Sequence, residues 1–408
     1  MELHRYEEEE YMNRKILIIV ENLPVPFDTR VWQEATTLVK EGYQVSVICP
    51  TGKGFMDLYE EKEGVHIYRH HLPEEGKGFI GYLKEYYIAL REEKKLAKRI
   101  FKERGFDVIH GCNPPDNIFL VAKKFKRYGV QYIFDHHDIC PELYVAKFGK
   151  KGILYWSQIF FERMTYKYAA MAFVTNESYK KIAIERNHMQ PKDVFVLRSG
   201  PKTQRLQIRP AKPEIKRGKQ YMVGYVGVIG KQEGMDYLLD AVEYIVNTRK
   251  RTDIFFGICG GGPYLDTIKK RSLQLGLSEY IEFTGRVSDE QLLEYLNTAD
   301  ICVNPDEYNE MNNRSTMNKV LEYMALAKPI VQFDLTEGRY SAKEASLYAK
   351  PNDAIDLGDK IIELLDHEEQ RKKMGEIGYR RVQNELSWEH TSKALIAGYE
   401  YYFEQKAR

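Results

Sequence analysis

The sequence predicts an α/β protein with two domains, each built on a doubly wound parallel sheet. The chain has 408 residues, 43% of them hydrophobic. A chain of that length is too long for one domain with a single hydrophobic core and suits two domains of roughly 150–200 residues each. Short apolar runs alternate with helical patterns through both halves, which is typical of parallel sheets with helices on both faces. A segment at 200–219, rich in Pro, Lys, Arg and Gln, separates the halves and indicates a linker.

The first half opens with a predicted strand at Lys15–Val20, an apolar run with β-branched residues. Such a run is typical of a strand buried on both faces of a sheet. A Pro-rich loop follows, and the apolar spacing then predicts a helix over 31–41 that stops at Gly42. Further strands of this half are predicted at 44–48, 65–68, 107–110, 131–134, 171–174 and 194–197.

The second half repeats the alternation of strands and helices. Strands are predicted at 221–226, 253–258, 281–283, 301–303 and 330–333. Helices are predicted at 235–246, 264–275, 288–298 and 318–325, and a Tyr-rich helix at 387–406 ends the chain.

These elements give a domain plan. Residues 1–12 form an acidic tail, 13–200 the first domain, 201–219 the linker and 220–386 the second domain. The helix within 387–408 is expected to cross back to the first domain. Ligands of open α/β sheets bind beyond the carboxyl ends of the strands. We therefore expect the two domains to face a cleft that suits a reaction between two substrates.

The overall charge is nearly balanced. Lys and Arg number 61 against 60 Asp and Glu, a formal net charge of +1. A dedicated nucleic-acid binder would usually be strongly basic, so that class is excluded. Five widely spaced cysteines without a C-x-x-C pair indicate a reducing cytosol. With no export signal and no apolar run of about 20 residues, we expect a cytoplasmic protein, or one peripheral on the inner face of the cell membrane.

Two segments are locally basic. Residues 80–130 hold twelve Lys or Arg against six Asp or Glu, and residues 146–168 hold five against one. Tyr86, Tyr87, Tyr155 and Trp156 lie in these segments. An anionic membrane surface is therefore a candidate partner, and ordinary solvated helix faces are the alternative.

The most informative stretch covers residues 312–331, where a polar loop leads into a helix. Ser315 or Thr316 is the predicted N-cap, and the free N–H groups of such a helix start attract anions. Lys319 and Glu322 are three residues apart and share a face. The cation suits a phosphate, and the carboxylate suits the vicinal hydroxyls of a ribose. An ordinary capped surface helix is the alternative.

Glycine-rich turns follow predicted strands in the second half. Residues 224–236 carry a G-x-x-G-x-x-G spacing, which differs from the G-x-G-x-x-G of a dinucleotide fold. Gly230 and Lys231 of this turn are candidates for a phosphate contact. Turns at 260–264 and 283–287 follow later strands, with Val287 the better candidate there. Tight turns that only require glycine are the alternative.

In the first half, four titratable residues follow one strand: Asp135, His136, His137 and Asp138. His137 or Asp138 could position or deprotonate a hydroxyl. The same four residues are the alternative metal ligands. Successive residues of an extended chain point in opposite directions, however, so we expect no metal site. In the loop after the first strand, Arg30 is the candidate for a polar contact.

These motifs together resemble family 4 glycosyltransferases, which have the GT-B fold of two Rossmann-like domains. Residues 315–331 resemble the donor-site segment of a subgroup that builds bacterial surface polysaccharides. The resemblance extends from about residue 15 to residue 406. Glu322 matches the second of the family's two glutamates, which binds the donor ribose. Arg314 stands where the first glutamate is usual.

The resemblance also implies site residues. The basic residues of the family's glycine turn hold the donor diphosphate, but Val228 and Glu233 occupy those positions here. Lys231, between them, is therefore the candidate cation. The implied donor-binding residues are Gly230, Lys231, Val287, Ser315, Thr316, Met317, Asn318, Lys319 and Glu322. The implied catalytic residues are His137, Asp138, Lys231 and Arg314, and the acceptor-side residues are Arg30 and His136.

The activity implied is that of a retaining, metal-independent hexosyltransferase. It would move a sugar from a nucleoside diphosphate sugar, UDP rather than GDP, to a glycan or lipid-linked acceptor of cell-surface polysaccharide synthesis, without a cofactor. Two alternatives stay open. One is a sugar-nucleotide epimerase of the same architecture. The other is a non-catalytic glycosyltransferase-like subunit, because Arg314 replaces a glutamate.

Overall fold

The structure, a computed structural model, describes residues 14–72 and 78–407, apart from the side chains of 78–83 and 407. The predicted acidic tail at 1–12 lies outside the described residues. The chain divides into two compact units, Met1–Arg198 with Ser392–Arg408, and Ser199–Thr391. Each unit is a sheet with helices packed against it, which confirms the predicted fold class of two parallel-sheet α/β domains.

The first unit contains an eight-stranded sheet in the order β3-β4-β2-β1-β5-β6-β7-β8. Neighbouring strands are parallel except β3 and β4. The strands are β1 Lys15–Val20, β2 Gln44–Pro50, β3 Tyr59–Lys62, β4 Val65–His70, β5 Val108–Cys112, β6 Gln131–His136, β7 Met171–Val174 and β8 Val194–Val196.

The second unit contains a six-stranded sheet in the order β11-β10-β9-β12-β13-β14, parallel throughout. The strands are β9 Tyr221–Val226, β10 Ile254–Cys259, β11 Ile281–Gly285, β12 Ile301–Asn304, β13 Ile330–Phe333 and β14 Ser346–Ala349. In both sheets the chain winds outward from a central strand first one way and then the other, which is the doubly wound topology.

Helices connect the strands. In the first unit they are α1 Thr29–Lys40, α2 Gly78–Glu103, α3 Phe119–Ala122, α4 Cys140–Phe148, α5 Ile153–Tyr168 and α6 Glu177–Lys181. In the second unit they are α7 Met235–Glu243, α8 Leu265–Gln274, α9 Asp289–Thr298, α10 Glu310–Arg314, α11 Asn318–Ala325, α12 Thr336–Ala342, α13 Ala354–Asp366, α14 Glu368–Arg381 and α15 Trp388–Thr391, and α16 Lys393–Ala407 follows. Turns of π-helix at 182–186, 244–248 and 382–386 extend α6, α7 and α14.

Two strands have no counterpart in the sequence prediction. Strand β3 is mostly exposed, and its residues Tyr59–Lys62 carry charges that hide the strand pattern. Strand β14 is short and lies at the edge of its sheet, paired only with β13 among the described strands. The predicted terminal helix is divided as well, because α15 ends at Thr391 and α16 begins at Lys393.

The segment predicted as a linker packs on the second unit. Its backbone donates to side chains of α9, from Arg209 N to Asn297 Oδ1 and from Lys212 N to Thr298 Oγ1, both at 2.9 Å. Leu206 is buried in the same hydrophobic cluster as α11. The segment is thus part of the second unit, contains a short 3-10 helix at Pro213–Lys216, and is held in place by hydrogen bonds to side chains.

Helix α16 belongs to the first unit. Tyr399 is fully buried, and its hydroxyl lies 2.8 Å from His110 Nδ1 on β5. Its ring also packs against Phe173 on β7. This helix therefore forms part of the first domain's core although it ends the chain.

All five cysteines fall within the described residues, where they are buried and free of disulfides. Among the helices of the described part, none has the length and apolar content needed to cross a membrane.

Buried carboxyl groups lie beside the end of β1. Glu93 on α2 is fully buried, and burial raises its pKa from 4.5 to about 8. Burial also raises the pKa of Glu21 to about 10, with Glu93 and Glu85 adding to the effect. Both groups therefore hold protons at neutral pH that the unfolded chain would release.

This proton uptake predicts a pH-dependent stability. Since the folded pKa of Glu93 exceeds its unfolded value, stability falls as pH rises from about 5 to 8. Glu93→Gln removes the titrating proton. The variant should gain roughly 1–3 kcal/mol relative to the parent between pH 5 and pH 8.

Urea unfolding across this pH range measures the difference. Glu103→Gln on the same helix is the control, because Glu103 is about half exposed. A difference between Glu93→Gln and the parent that stays constant with pH would contradict the account.

Candidate functional site

The candidate site of the second unit lies at the carboxyl edge of its sheet. The strand order reverses between β9 and β12, which are neighbours. Ligands of open α/β sheets bind outside the carboxyl ends of the strands at such a reversal. The loops that leave these strands cover residues 227–234 and 305–317, and both hold residues that the sequence singled out.

Two glycine turns pack backbone against backbone at this edge. Gly227 N donates to Cys259 O at 3.1 Å, and Ile229 N donates to Gly261 O at 3.0 Å. Gly260 has a φ of +153°, and a Cβ there would lie 1.8 Å from Gly227 O. Only glycine permits this contact. Gly260 N also donates to Gly285 O at 2.9 Å, so the turn that carries Val287 joins the same surface.

The loop after β9 is tied to the loop after β12. Gly234 adopts a φ of +67°, and a Cβ there would lie 1.8 Å from Pro305 O. Asn312 Nδ2 donates to Gln232 O and to Glu307 O, each at 2.8 Å. The two loops therefore hold each other at the reversal point.

The predicted N-cap of helix α11 is wrong. Asn309 caps the short helix α10 by accepting from Asn312 N at 2.8 Å, and Ser315 ends that helix. Helix α11 begins after Met317, and no side chain caps it. The segment folds into its own helical turn, so neither Ser315 nor Thr316 takes the N-cap position. The uncapped first N–H groups of α11 can still bind an anion.

Lys319 has a protein partner of opposite charge. Its Nζ lies 2.8 Å from Asp306 Oδ1, and the two side chains are 11% and 2% exposed. Burial alone would lower the pKa of Lys319, but Asp306 and Tyr225 raise it above its usual value. Its charge is therefore compensated by Asp306, whereas the sequence suggested a phosphate as its partner.

Glu322 lies on the same helix and pairs with a residue of the predicted linker. Arg205 Nη2 contacts Glu322 Oε1, and Arg205 Nη1 lies 3.2 Å from Asp289 Oδ2. The Glu322 side chain is 21% exposed. Burial raises its pKa and Arg205 opposes that change. The carboxylate is reachable, and a ligand that binds it would compete with Arg205.

The other donor candidates lie on these two loops, on the turn after β11 and at the start of α11. Gly230 is buried, Lys231 and Asn318 are exposed, and Val287, Thr316 and Met317 are half-buried. Arg314 pairs along its own short helix with Glu310 at 2.6 Å. All the donor candidates lie in the second unit, in segments that follow β9, β11 and β12.

The first unit carries a separate polar cluster behind the ends of β1, β5 and β6. Asp135 is fully buried and accepts from Arg30 Nη2 at 2.8 Å. His137 Nε2 contacts the other carboxylate oxygen of Asp135. Arg30 also lies 3.0 Å from Glu34 and donates to Leu197 O at 2.8 Å.

The charge states in this cluster follow from burial and from Arg30. Burial alone would raise the pKa of Asp135, but Arg30 and His137 hold it well below its usual range. Burial raises the pKa of Glu34 well above its usual value and lowers that of His110. The cluster therefore favours the charged forms of Arg30 and Asp135, and burial disfavours the charged forms of Glu34 and His110.

Arg30 consequently has a different role from the one that the sequence suggested. Arg30 is 8% exposed, and its guanidinium is occupied by Asp135, Glu34, His137 and a main-chain oxygen. Arg30 is therefore not an acceptor contact but a residue that orients Asp135 and donates directly to His137 Nε2 at 2.9 Å.

His136 is also corrected. Its ring is fully buried and lies 2.7 Å from the Tyr166 hydroxyl, and burial lowers its pKa to about 3. A ring in this position has no surface to offer an acceptor. Its neighbours on the chain, His137 and Asp138, are partly exposed.

Asn113 fixes the position of His137 and Asp138. Its Oδ1 accepts from both backbone N–H groups, at 2.6 and 3.1 Å, and its Nδ2 donates to Asp138 O at 2.7 Å. Burial raises the pKa of the Asp138 carboxyl. A partly exposed imidazole oriented by a buried carboxylate can accept a proton from a hydroxyl.

The structure groups a different set of possible metal ligands from the one that the sequence suggested. Asp135, His136, His137 and Asp138 do not all point to one place. Among the described residues, Glu34, Cys112, Asp135 and His137 place one possible ligand atom each within 4.8 Å of the others. Arg30 contacts three of these residues, Glu34, Asp135 and His137, and supplies positive charge there.

Sequence reasoning missed several of these residues. Asp306 lies two residues after β12, which is a usable signal for a site residue, but Arg205 lies in a polar segment without any pattern. Asn113 follows β5 directly. Loops after parallel strands near a reversal point are the general signal that would have found Asp306 and Asn113.

Comparison with known proteins gives a family match for each half of the chain. Residues 208–381 match the family profile described as glycosyl transferases group 1, and residues 28–205 match glycosyltransferase family 4. An uncharacterised glycosyltransferase of Methanocaldococcus jannaschii is 25% identical over 357 residues, which are 84% of this chain and 88% of the relative. The O-antigen chain mannosyltransferase C of Escherichia coli is 26% identical over 186 residues, 45% of this chain and 47% of its own.

Solved structures share the fold. Sucrose-phosphate synthase from Thermosynechococcus elongatus gives a TM-score of 0.77 at 17% identity, covering 97% of this chain and 100% of that one. An Anabaena protein solved in complex with UDP and glucose gives 0.71 at 12% identity, covering 95% and 99%.

The buried pair of Lys319 and Asp306 predicts a stability effect. Asp306→Asn would leave the Lys319 charge buried without its partner, and we expect a loss of about 3 kcal/mol. Replacing both residues, as Asp306→Leu with Lys319→Met, should cost less because no uncompensated charge remains. Chemical unfolding of both variants measures this, and a double variant less stable than the single one would contradict it.

Proposed function

We propose that this chain, which belongs to the two-domain glycosyltransferases of the GT-B type, transfers a hexose from a nucleoside diphosphate sugar to a hydroxyl group of a glycan or lipid-linked acceptor. One observation carries the proposal. The glycine turns, the start of α11 and Glu322 meet at the reversal point of the second sheet. That arrangement offers phosphate and ribose contacts at one place.

The donor diphosphate would bind at the start of α11. Uncapped N–H groups and the positive end of the helix dipole suit it. Lys231 is exposed on the adjoining turn and adds a cation, while Arg314 on α10 is a second cation in the scheme. Lys319 would act through its pair with Asp306, as a fixed dipole at the base of the site.

The nucleoside would bind beside α11. Glu322 would accept hydrogen bonds from the ribose hydroxyls once Arg205 releases it, and the backbone near Val287 would contact the base. We propose UDP as the nucleotide. The Anabaena structure of the same fold contains UDP and glucose, which supports the proposal at the level of fold.

The acceptor would be a glycan or lipid-linked intermediate of cell-surface polysaccharide synthesis. The similarity to an O-antigen mannosyltransferase supports this class. We place the protein in the cytoplasm, peripheral on the inner face of the cell membrane. His137, oriented by Asp135, and Asp138 would position the acceptor hydroxyl or receive its proton.

We further propose that transfer retains the anomeric configuration and needs no metal. Donors fixed in advance toward developing charge are often the largest catalytic contribution. Here Lys231 and the α11 N–H groups would meet the charge that develops on the departing diphosphate. That contribution replaces the neutralisation which a metal ion supplies in other enzymes.

A transfer assay in EDTA tests the function. Supplied with UDP or GDP hexoses and polyprenyl-linked acceptors, the chain should transfer sugar from a UDP donor, and NMR of the product should show retained configuration. Lys231→Ala should lower turnover about 100-fold, the scale of losing one fixed donor to the developing charge. Lys270→Ala on α8, also exposed, is the matched control.

Other outcomes separate the alternatives. Conversion of the nucleotide sugar without an acceptor would identify an epimerase. Nucleotide binding without turnover on the whole acceptor panel would identify a non-catalytic subunit. Turnover that EDTA abolishes would contradict the metal-free scheme.

A further inference from the structure

Helix α5 exposes a row of large apolar side chains. Ile153, Trp156 and Phe160 are 88%, 61% and 56% exposed. Their spacing of three and four residues puts them on one face of the helix. Phe148, which ends the preceding helix α4, is 61% exposed as well. Contiguous exposed apolar surface of this kind marks an interaction site.

The opposite face of α5 is fully used in the core. Tyr155, Ile159 and Tyr166 are buried there, and the Thr165 hydroxyl lies 3.0 Å from the Tyr132 hydroxyl. The inward apolar face of the helix is therefore packed in the core. The outward row forms a second apolar face, and nothing among the described residues of the first unit covers it.

Cations surround the outward row. The exposed basic residues of this segment are Lys147, Lys150, Lys151, Arg163 and Lys167. Arg163 and Lys167 continue the same helical face at spacings of three and four residues. The outward face of α5 is therefore apolar over its first two turns, and basic residues lie before and after this apolar part.

No acidic side chain of this segment opposes the cations at the surface. Glu162 is the one carboxylate within residues 147–168, and it is fully buried. It accepts from Arg186 Nη2 at 2.6 Å and from Asn187 Nδ2 at 2.7 Å. Arg186 also binds Glu142 of helix α4. The structure thus makes this surface more basic than the sequence count suggested.

Helix α2, the other part of the basic surface indicated by the sequence, differs. Two of its exposed cations pair along the helix, Lys95 with Glu92 at 3.4 Å and Arg99 with Glu103 at 2.8 Å. Its exposed aromatic side chains, Tyr86 and Tyr87, have no such apolar row beside them among the described side chains.

We propose that the outward face of α5, together with Phe148, docks into the interface of an anionic lipid bilayer. Interfacial helices of this type bury an apolar face at the level of the headgroups while Lys and Arg attract anionic lipid. Trp is suited to this depth because its ring is apolar and its N–H is polar. A second copy of this chain fits the same face poorly, because five cations would meet five cations.

The location connects the surface to the chemistry. On the inward face of the same helix, Tyr166 contacts His136, whose neighbours on the chain are His137 and Asp138. A chain docked through α5 would hold its acceptor-side residues near the membrane surface. This deepens the proposed function, since it rests on a lipid-linked acceptor and names the surface that would meet its bilayer.

Vesicle co-sedimentation tests the proposal. The purified chain is mixed with phosphatidylcholine vesicles, with or without 30% phosphatidylglycerol. We expect binding to the anionic vesicles that weakens as salt increases. The triple variant Ile153→Ser, Trp156→Ser and Phe160→Ser should bind at least 10-fold more weakly. Tyr87→Ser, which removes another exposed aromatic residue from the same unit, should bind like the parent.

Further readouts keep this test separate from that of the proposed function. The triple variant should melt like the parent and show the same thermal shift with UDP, because the substitutions lie at the surface of the other unit. Equal vesicle binding by parent and triple variant would overturn the proposal. A parent dimer that the triple variant abolishes, with no vesicle binding by either, would overturn it in favour of self-association.

Discussion

Parallel pairing of β9 with both β10 and β12 is the constraint on which the rest of the second unit depends. Parallel strands end at the same edge of a sheet, so the loops after these strands must begin side by side. Because β12 enters on the opposite side of β9 from β10, helices on the two sides separate and leave the edge open. The glycine turns fill this edge with backbone, and α11 points its N-terminus toward it.

Charge compensation fixes the side chains at both carboxyl edges. Lys319 is held by Asp306, Glu322 by Arg205, and Asp135 by Arg30. The pairs of Lys319 with Asp306 and of Asp135 with Arg30 are largely buried. An unpaired charge there would be costly, so each of these two pairs also fixes the loop that carries it. The two edges differ in one respect. In the first unit Arg30 fills the cluster around Asp135, whereas the edge of the second sheet keeps Lys231 exposed and Glu322 reachable.

The sequence predicted the sheets, most strand bounds and helix 318–325, because apolar periodicity reports burial directly. It placed Glu322 and Lys319 on one helical face, as observed. It failed where a partner is distant along the chain. Nothing local shows that Asp306 neutralises Lys319 or that Arg205 covers Glu322. The N-cap of α11 was wrong because Asn309 starts a separate helical turn that Ser315 ends.

The site in the first unit shows the same limit. Asp135, His136 and His137 are adjacent in sequence, yet the extended backbone turns His136 toward Tyr166 and leaves Asp135 beside Arg30 and His137. Alternation on a strand predicts that neighbours diverge. It does not say which of them faces the core, because that depends on the helices that cover each face. The roles of Asp135, His136 and His137 therefore depend on tertiary packing, which the local sequence does not show.

Hydrogen–deuterium exchange of the chain with and without saturating UDP tests the central claim most directly, that the nucleotide binds at the carboxyl edge of the second sheet. We expect UDP to slow exchange in peptides covering 227–234 and 305–322, and to leave the strands of the first unit unchanged. Protection confined to residues 14–198, or an unchanged pattern at a UDP concentration that raises the melting temperature, would contradict the account.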